Sequence, residues 1–138
     1  MALNVVATTK PIPEPDEASQ PFFDGARAGK LMLMRCAECG EFRMPARMHC
    51  DACLATATEW VEASGRGTVR TFGVMHQKYH AGFLEETPYN LAVVELEEGP
   101  RLVTNIVETA NAAIAVDMPV TVAFTDYEDV SLPKFRPA

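Results

Sequence analysis

The chain has 138 residues, 48% hydrophobic and 22% charged, with a formal charge of −7. That length suits one domain or two small modules with a core of ordinary globular composition. No apolar run approaches the roughly twenty residues of a membrane span. An acidic chain is also poorly suited to broad neutralisation of nucleic-acid phosphates. The opening residues Met1–Val6 show neither a charged n-region nor an apolar h-region, so the expected location is the cytoplasm, with reduced thiols.

Residues 1–18 read as a flexible arm. Pro11, Pro13 and Pro15 favour an extended chain, and Asp16 and Glu17 add charge. Ser19 is a candidate cap for a short helix, with Pro21 in its first turn and Gly25 or Gly29 at its end. Phe22, Phe23 and Ala26 would share one face of that helix. So short a helix must pack on something, either the chain's own core or a partner subunit.

Leu31–Met34 is an apolar run that predicts a strand leading into the cysteines. Cys36, Cys39, Cys50 and Cys53 form two C-x2-C pairs separated by ten residues, and the chain has no other cysteine. Two residues between thiols let the chain turn and aim both sulfurs at one point; a second turn alongside completes a tetrahedron. That geometry suits one structural Zn²⁺ per chain, with no open position for a catalytic water. Gly40 follows the first knuckle, where a positive φ is expected, whereas Leu54 stands at the matching place in the second. His49 adjoins Cys50 but is not needed as a ligand. From Arg27 to Arg47 five basic residues (Arg27, Lys30, Arg35, Arg43, Arg47) face two acidic ones, Glu38 and Glu41. The surplus either balances thiolate charge or forms a phosphate-facing patch.

Beyond Trp60 the pattern becomes β-rich. Ser64–Gly67 is a turn, and Thr68–His76 is a strand in which Gly73 predicts a bulge or bend. Leu91–Leu96 and Leu102–Val107 are strands joined by a hairpin turn at Glu97–Pro100. Val120, Val122 and Phe124 point inward from the next strand, and Lys134–Pro137 lies in the last extended piece. Four or five strands with one longer connection in about seventy residues fit a small closed barrel, of which the five-stranded OB-fold is the commonest design. The connection 78–89 is long and carries Tyr79, Phe83 and Tyr89. No nucleophile–base pairing is visible: the cysteines go to the metal, and His76 and His80 share no helical face. The expected organisation is arm 1–18, helix and rubredoxin-like zinc ribbon 19–63, and OB barrel 64–138, mainly β throughout.

The order of these features resembles the zinc-ribbon/OB-fold acyl-CoA-associated family, long catalogued as a domain of unknown function. The matching pieces are Phe23-Asp24-Gly25, Leu31 to Cys36, Cys39-Gly40, Pro45-Ala46-Arg47, Ser64 to Val69, Val94 to Gly99, Met118-Pro119-Val120 and Phe135-Arg136-Pro137. Asp51, Ala52 and Leu54 depart from the family's second knuckle, and Asp117 stands where a glycine normally precedes Met118. The resemblance implies a non-catalytic accessory subunit of a thiolase-like acyl-CoA enzyme: a sterol-carrier-type thiolase, an acyltransferase or a retro-aldolase. The partner would supply the catalytic residues, and this chain would support it and help shape a CoA channel. On that reading Lys30, Arg35, Arg43 and Arg47 are candidates for CoA phosphates, because such groups need cationic partners. Phe22, Phe23, Tyr79, Phe83 and Tyr89 are candidate partner contacts. The alternative is a single-stranded nucleic-acid module, a role that ribbons and OB barrels also serve; the net negative charge weighs against it.

Overall fold

The computed structural model describes residues 10–138 together with the backbone of Val5 and Val6. The expected arm therefore lies partly outside the described residues. Within it, β1 (Val5–Val6) runs parallel to a strand near the C-terminus, in register with Asp126 and Tyr127. Lys10 forms an ion pair with Glu86.

Helix α1 spans Gln20–Arg27. Ser19 stands at its N-cap, but the side chain turns back: its hydroxyl donates to Asp16 Oδ1 at 2.7 Å and accepts from the Asp16 amide at 3.0 Å. The helix is thus preceded by a side-chain-locked turn rather than capped by it. Its end is a Schellman motif, in which the Lys30 amide donates to Gly25 O (2.8 Å) and the Gly29 amide to Ala26 O (3.0 Å). Gly29 terminates the helix. Gly25 lies inside it and faces Met32, where a Cβ would fall 2.3 Å from Cγ. Ala26 is buried and Phe22 packs against the core, as the expected face requires.

A small antiparallel sheet follows, ordered β3–β2–β4, from β2 (Met32–Cys36), β3 (Phe42–Arg43) and β4 (Thr58–Glu62). Strand β4 was not legible in the sequence. Its burial does not alternate, and it is fixed by pairing along the whole of β2, from Met32–Glu62 to Cys36–Thr58.

The remaining strands are β5 (Arg66–Met75), β6 (Tyr89–Leu96), β7 (Arg101–Thr104), β8 (Pro119–Tyr127) and β9 (Ser131–Pro137). Strand β5 pairs with both β6 and β8, β6 with β7, and β8 with β9. A parallel bridge between Ile106 and Phe135 closes the ring, reinforced by the Val107 amide on Phe135 O at 2.7 Å. This is the curled sheet of an OB-fold. The expected bulge is displaced: Gly73 pairs regularly with Leu91, and the register shifts between Val69 and Thr71 instead. The glycine that matters is Gly67, where a Cβ would meet Val94 Cγ1 at 2.6 Å and Glu95 O at 2.8 Å. The hairpin at Glu97–Pro100 forms as expected, with the Leu96 amide donating to Pro100 O at 2.8 Å.

The expected strand over Leu102–Val107 breaks after Thr104. The register of β6 and β7, with Ala92 opposite Thr104, would bring Ile106 opposite Asn90. Backbone pairing does not continue there. The Asn90 side chain intervenes, accepting from the Ile106 amide at 2.7 Å and donating to Ile106 O at 2.8 Å. The chain thereby separates from β6 and crosses to β9.

One core joins both sheets. Leu31, Leu33 and Ala63 from the ribbon side cluster with Val69, Val94, Leu96, Ile106, Val120 and Phe135 of the barrel. Leu33→Ala should therefore cost about 2–5 kcal/mol in urea unfolding. Trp60 fluorescence and far-ultraviolet circular dichroism should report one shared transition; two separated transitions would show ribbon and barrel to be independent.

Candidate functional site

The two knuckles are built alike. In the first, the Cys36 amide donates to Glu41 O (2.8 Å) and the Gly40 amide to Cys36 O (3.0 Å). In the second, the Cys50 amide donates to Ala55 O and the Leu54 amide to Cys50 O, both at 2.9 Å. The residue after each knuckle is left-handed, with φ of 81° at Gly40 and 64° at Leu54. The sequence expectation that this position wants a glycine is thus met by geometry in both turns. Asp117, the other departure from a glycine, is also left-handed, at 69°.

These turns bring the four sulfurs within 4.8 Å of one another. Cys36–Cys53 and Cys39–Cys50 are each 3.6 Å apart. A disulfide would require about 2.05 Å. A tetrahedron of metal–sulfur bonds of about 2.3 Å has edges of about 3.8 Å, so the donor set fits a metal of that size. The thiols also differ electrostatically. Amides of the knuckle turns act first on Cys36 and Cys50: the Cys39 amide brings Cys36 down to about 6, and the Cys53 amide lowers Cys50. For Cys39 the Glu41 amide also lowers, but the Cys50 sulfur and burial outweigh it and push the thiol up to about 12. Cys53 is likewise raised, by Cys36 and burial against the Ala55 amide. Without a cation the cluster resists holding four thiolates together. His49 is exposed and does not belong to the donor cluster.

The basic residues divide. Arg43 is 3% exposed, and its Nε and Nη2 donate to Arg47 O at 3.0 and 2.8 Å, so it braces the approach to the second knuckle and is not presented to a surface ligand. Its Nη1 is buried without a partner among the described residues. Arg35 donates to Gly40 O at 3.1 Å, lies over the Phe42 ring and pairs with Glu59. Arg47 pairs with Asp51 at 2.6 Å, and Lys30 is exposed after the helix.

The aromatic candidates form two separate groups. Phe22 and Phe23 meet edge to face at 5.1 Å and line a groove of about 210 Å³ with Val103, Leu132 and Pro133. Phe83 and Tyr89, 5.3 Å apart, face a different cavity, and Tyr79 is 67% exposed. Sequence reasoning missed Tyr127 and Lys134, which line that second cavity. Nothing in the local pattern of either strand signals it, because the cavity is made by pairing across the barrel. No helix among the described residues is long and apolar enough to cross a membrane.

Ribbon, four-thiol centre and curled sheet define a zinc-ribbon/OB-fold protein. Residues 23–59 match the family profile described as "ChsH2, rubredoxin-like zinc ribbon domain", and residues 60–125 match "ChsH2, C-terminal OB-fold domain". The chain is 35% identical over 95 residues to a DUF35 domain-containing scaffold protein of Methanocaldococcus jannaschii, covering 68% of this chain and 67% of that one. The chain therefore belongs to the DUF35 family, with the ChsH2 arrangement of ribbon and barrel. It is also 38% identical over 130 residues to a probable enoyl-CoA hydratase alpha subunit of Thermomonospora curvata, covering 94% of this chain and 40% of that protein. It thus spans about two fifths of the length of the hydratase alpha subunits it matches. Among solved structures, a chain of an Ltp2-ChsH2(DUF35) aldolase superposes with a TM-score of 0.83 at 37% identity, over 91% of this chain and 98% of that one. A DUF35 protein of Sulfolobus solfataricus shares the fold at 18% identity, with a TM-score of 0.63 and coverage of 88% and 86%.

Leu54 is 74% exposed, so little burial is lost on its removal. Leu54→Gly should raise stability by about 0.5–1 kcal/mol, since the left-handed penalty exceeds glycine's entropic cost. Thermal melting of the metal-loaded protein checks this; a lowered melting temperature would contradict it.

Proposed function

We propose that the chain is a non-catalytic accessory subunit of a thiolase-like acyl-CoA enzyme, carrying one structural Zn²⁺. The observation that carries the reading is the match over nearly the whole chain to a component of an Ltp2-ChsH2(DUF35) aldolase. The scaffold description of the archaeal relatives supports the same role. So does the chemistry. Among the described residues no serine, threonine or cysteine is hydrogen-bonded to a histidine, and the four thiols that could act as nucleophiles are gathered in one donor set. Four thiolates leave no place for a reactive water, so the metal holds the ribbon in shape. Free, metal-ready thiols fit a reducing compartment, the cytoplasm.

Within this reading Phe22 and Phe23, beside exposed Val103, are our candidates for anchoring the partner, with the 78–89 loop around Tyr79, Phe83 and Tyr89 as a further contact. Lys30, Arg35 and Arg47 are the candidates for CoA phosphates; buried Arg43 acts instead as a brace. The modules are proposed to divide near residues 63 and 64, after an arm over 1–18.

Affinity purification of the tagged chain from its source cells should retain a thiolase-like subunit. Acyl-CoA turnover should appear only in the complex. Phe23→Ala should weaken association by about tenfold or more, and Arg47→Ala should raise the Michaelis constant without unfolding the chain. Failure to retain any thiolase-like protein would end the accessory-subunit reading.

Elemental analysis of the purified chain should find about one zinc per chain. Cys39→Ser or Cys50→Ser should abolish retention and lower the melting temperature, because metal binding and folding are coupled. Well-folded protein free of metal would refute this.

A further inference from the structure

The cavity beside Tyr127 lies apart from the four-cysteine centre and borders the groove of Phe22 and Phe23, with which it shares Asn105, Leu132 and Lys134. It measures about 320 Å³, within the range of small-molecule sites. Ile106 and Leu132 supply an apolar surface, and Phe83 and Tyr89 stand beside it. Its rim is fixed by asparagines. Asn105 donates to Asn90 O at 2.6 Å, Asn90 donates to Asn111 Oδ1 at 3.0 Å, and Asn111 donates to Pro88 O at 3.1 Å. The space is thus organised by hydrogen bonds that require no ligand.

Its charge is not balanced. Lys10 and Lys134 both line the cavity, and their ammonium groups lie 5.8 and 6.0 Å from the centroid of the Tyr127 ring. Lys10 is paired with Glu86. Lys134 meets the Tyr127 hydroxyl at 3.5 Å, and among the described residues no carboxylate lies within ion-pair distance of it. Two ammonium groups thus converge on one buried ring against a single carboxylate. An ammonium group such as that of Lys134, half-buried at the cavity wall with no carboxylate beside it, favours an anion at that point. One surplus positive charge calls for a monoanion, and a wall that is substantially apolar calls for a hydrocarbon body. A phosphate dianion would overshoot the charge and leave the half-buried Leu132 and Phe83 uncovered.

We propose that this cavity binds a small organic monocarboxylate, its carboxylate held by Lys134 and Tyr127 and its hydrocarbon ring or short chain lying on Ile106, Leu132 and Phe83. The site stands apart from the four-cysteine centre, and its walls are formed by this chain alone. The test is a heteronuclear magnetic-resonance titration of the full zinc-loaded chain with benzoate, its neutral isostere benzamide, and inorganic phosphate. Benzoate should give saturable shifts at Ile106, Tyr127, Leu132 and Lys134, with benzamide and phosphate binding about tenfold more weakly or worse. Lys134→Gln should weaken benzoate about tenfold or more, Lys134→Arg should retain it, and Tyr127→Phe should weaken it several-fold. Arg101→Gln, outside the cavity, should leave binding unchanged. No saturable response to benzoate, equal binding of benzamide, tighter binding of phosphate, or full affinity in a folded Lys134→Gln protein would each overturn the proposal.

Discussion

Four sulfurs held within 4.8 Å of one another are the constraint on which the ribbon depends. Thiolates so close repel, and protonated thiols make only weak hydrogen bonds, so neither state alone repays ordering some eighteen residues of turn and loop. A divalent cation reverses that balance. The knuckle amides are already aimed at Cys36 and Cys50, the two buried sulfurs, favouring the charged form in which a metal is bound. Arg43 follows the same logic at one remove. Its two bonds to the Arg47 carbonyl fix the segment that leads into the second knuckle.

Strand β2 carries this order into the rest of the molecule. Cys36 ends the strand, while Leu33 and Leu31 enter the common core. The same strand pairs with β3 and β4 on its two edges. A disturbance at the four-cysteine centre therefore has a route, three residues long, to the side chains packed around Phe135. Helix α1 adds a second tie, since Gly25 lies against Met32 and Phe22 lies on the core. Arg27 completes it by donating to the carbonyls of Tyr127 and Glu128, which joins the helix to the end of β8.

What could be read in advance was what local chemistry dictates. The cysteine spacing specified the donor set, and Gly40 and Leu54 marked the left-handed turns. Alternation at Val120, Val122 and Phe124 placed the face of β8 that meets the core. What stayed hidden depends on pairing. Strand β4 shows no apolar rhythm because β2 alone dictates it. The bulge fell near Arg70 and not at Gly73, since the bend follows from how β5 serves two neighbours, β6 and β8. Arg43 looked like any other arginine in the basic stretch. Its burial goes with its two bonds to the Arg47 carbonyl, a contact that charge counting along the chain does not register.

Asn90 has a consequence for the barrel wall. A side-chain amide presents an N–H and a C=O side by side, as a strand residue's backbone does, and keeps a second N–H for Asn111, so it can replace a single rung of a ladder while setting the rails further apart. That substitution is what opens the wall: the space vacated between β6 and residues 105–107 forms part of the cavity beside Tyr127. The barrel therefore has a window in its side whose frame is a single residue. Leucine would fill the gap without holding it, and aspartate would turn an acceptor toward the Ile106 carbonyl. A ring of strands can in this way gain an internal chamber without adding a strand, by spending one asparagine where a peptide bond would otherwise have closed the seam.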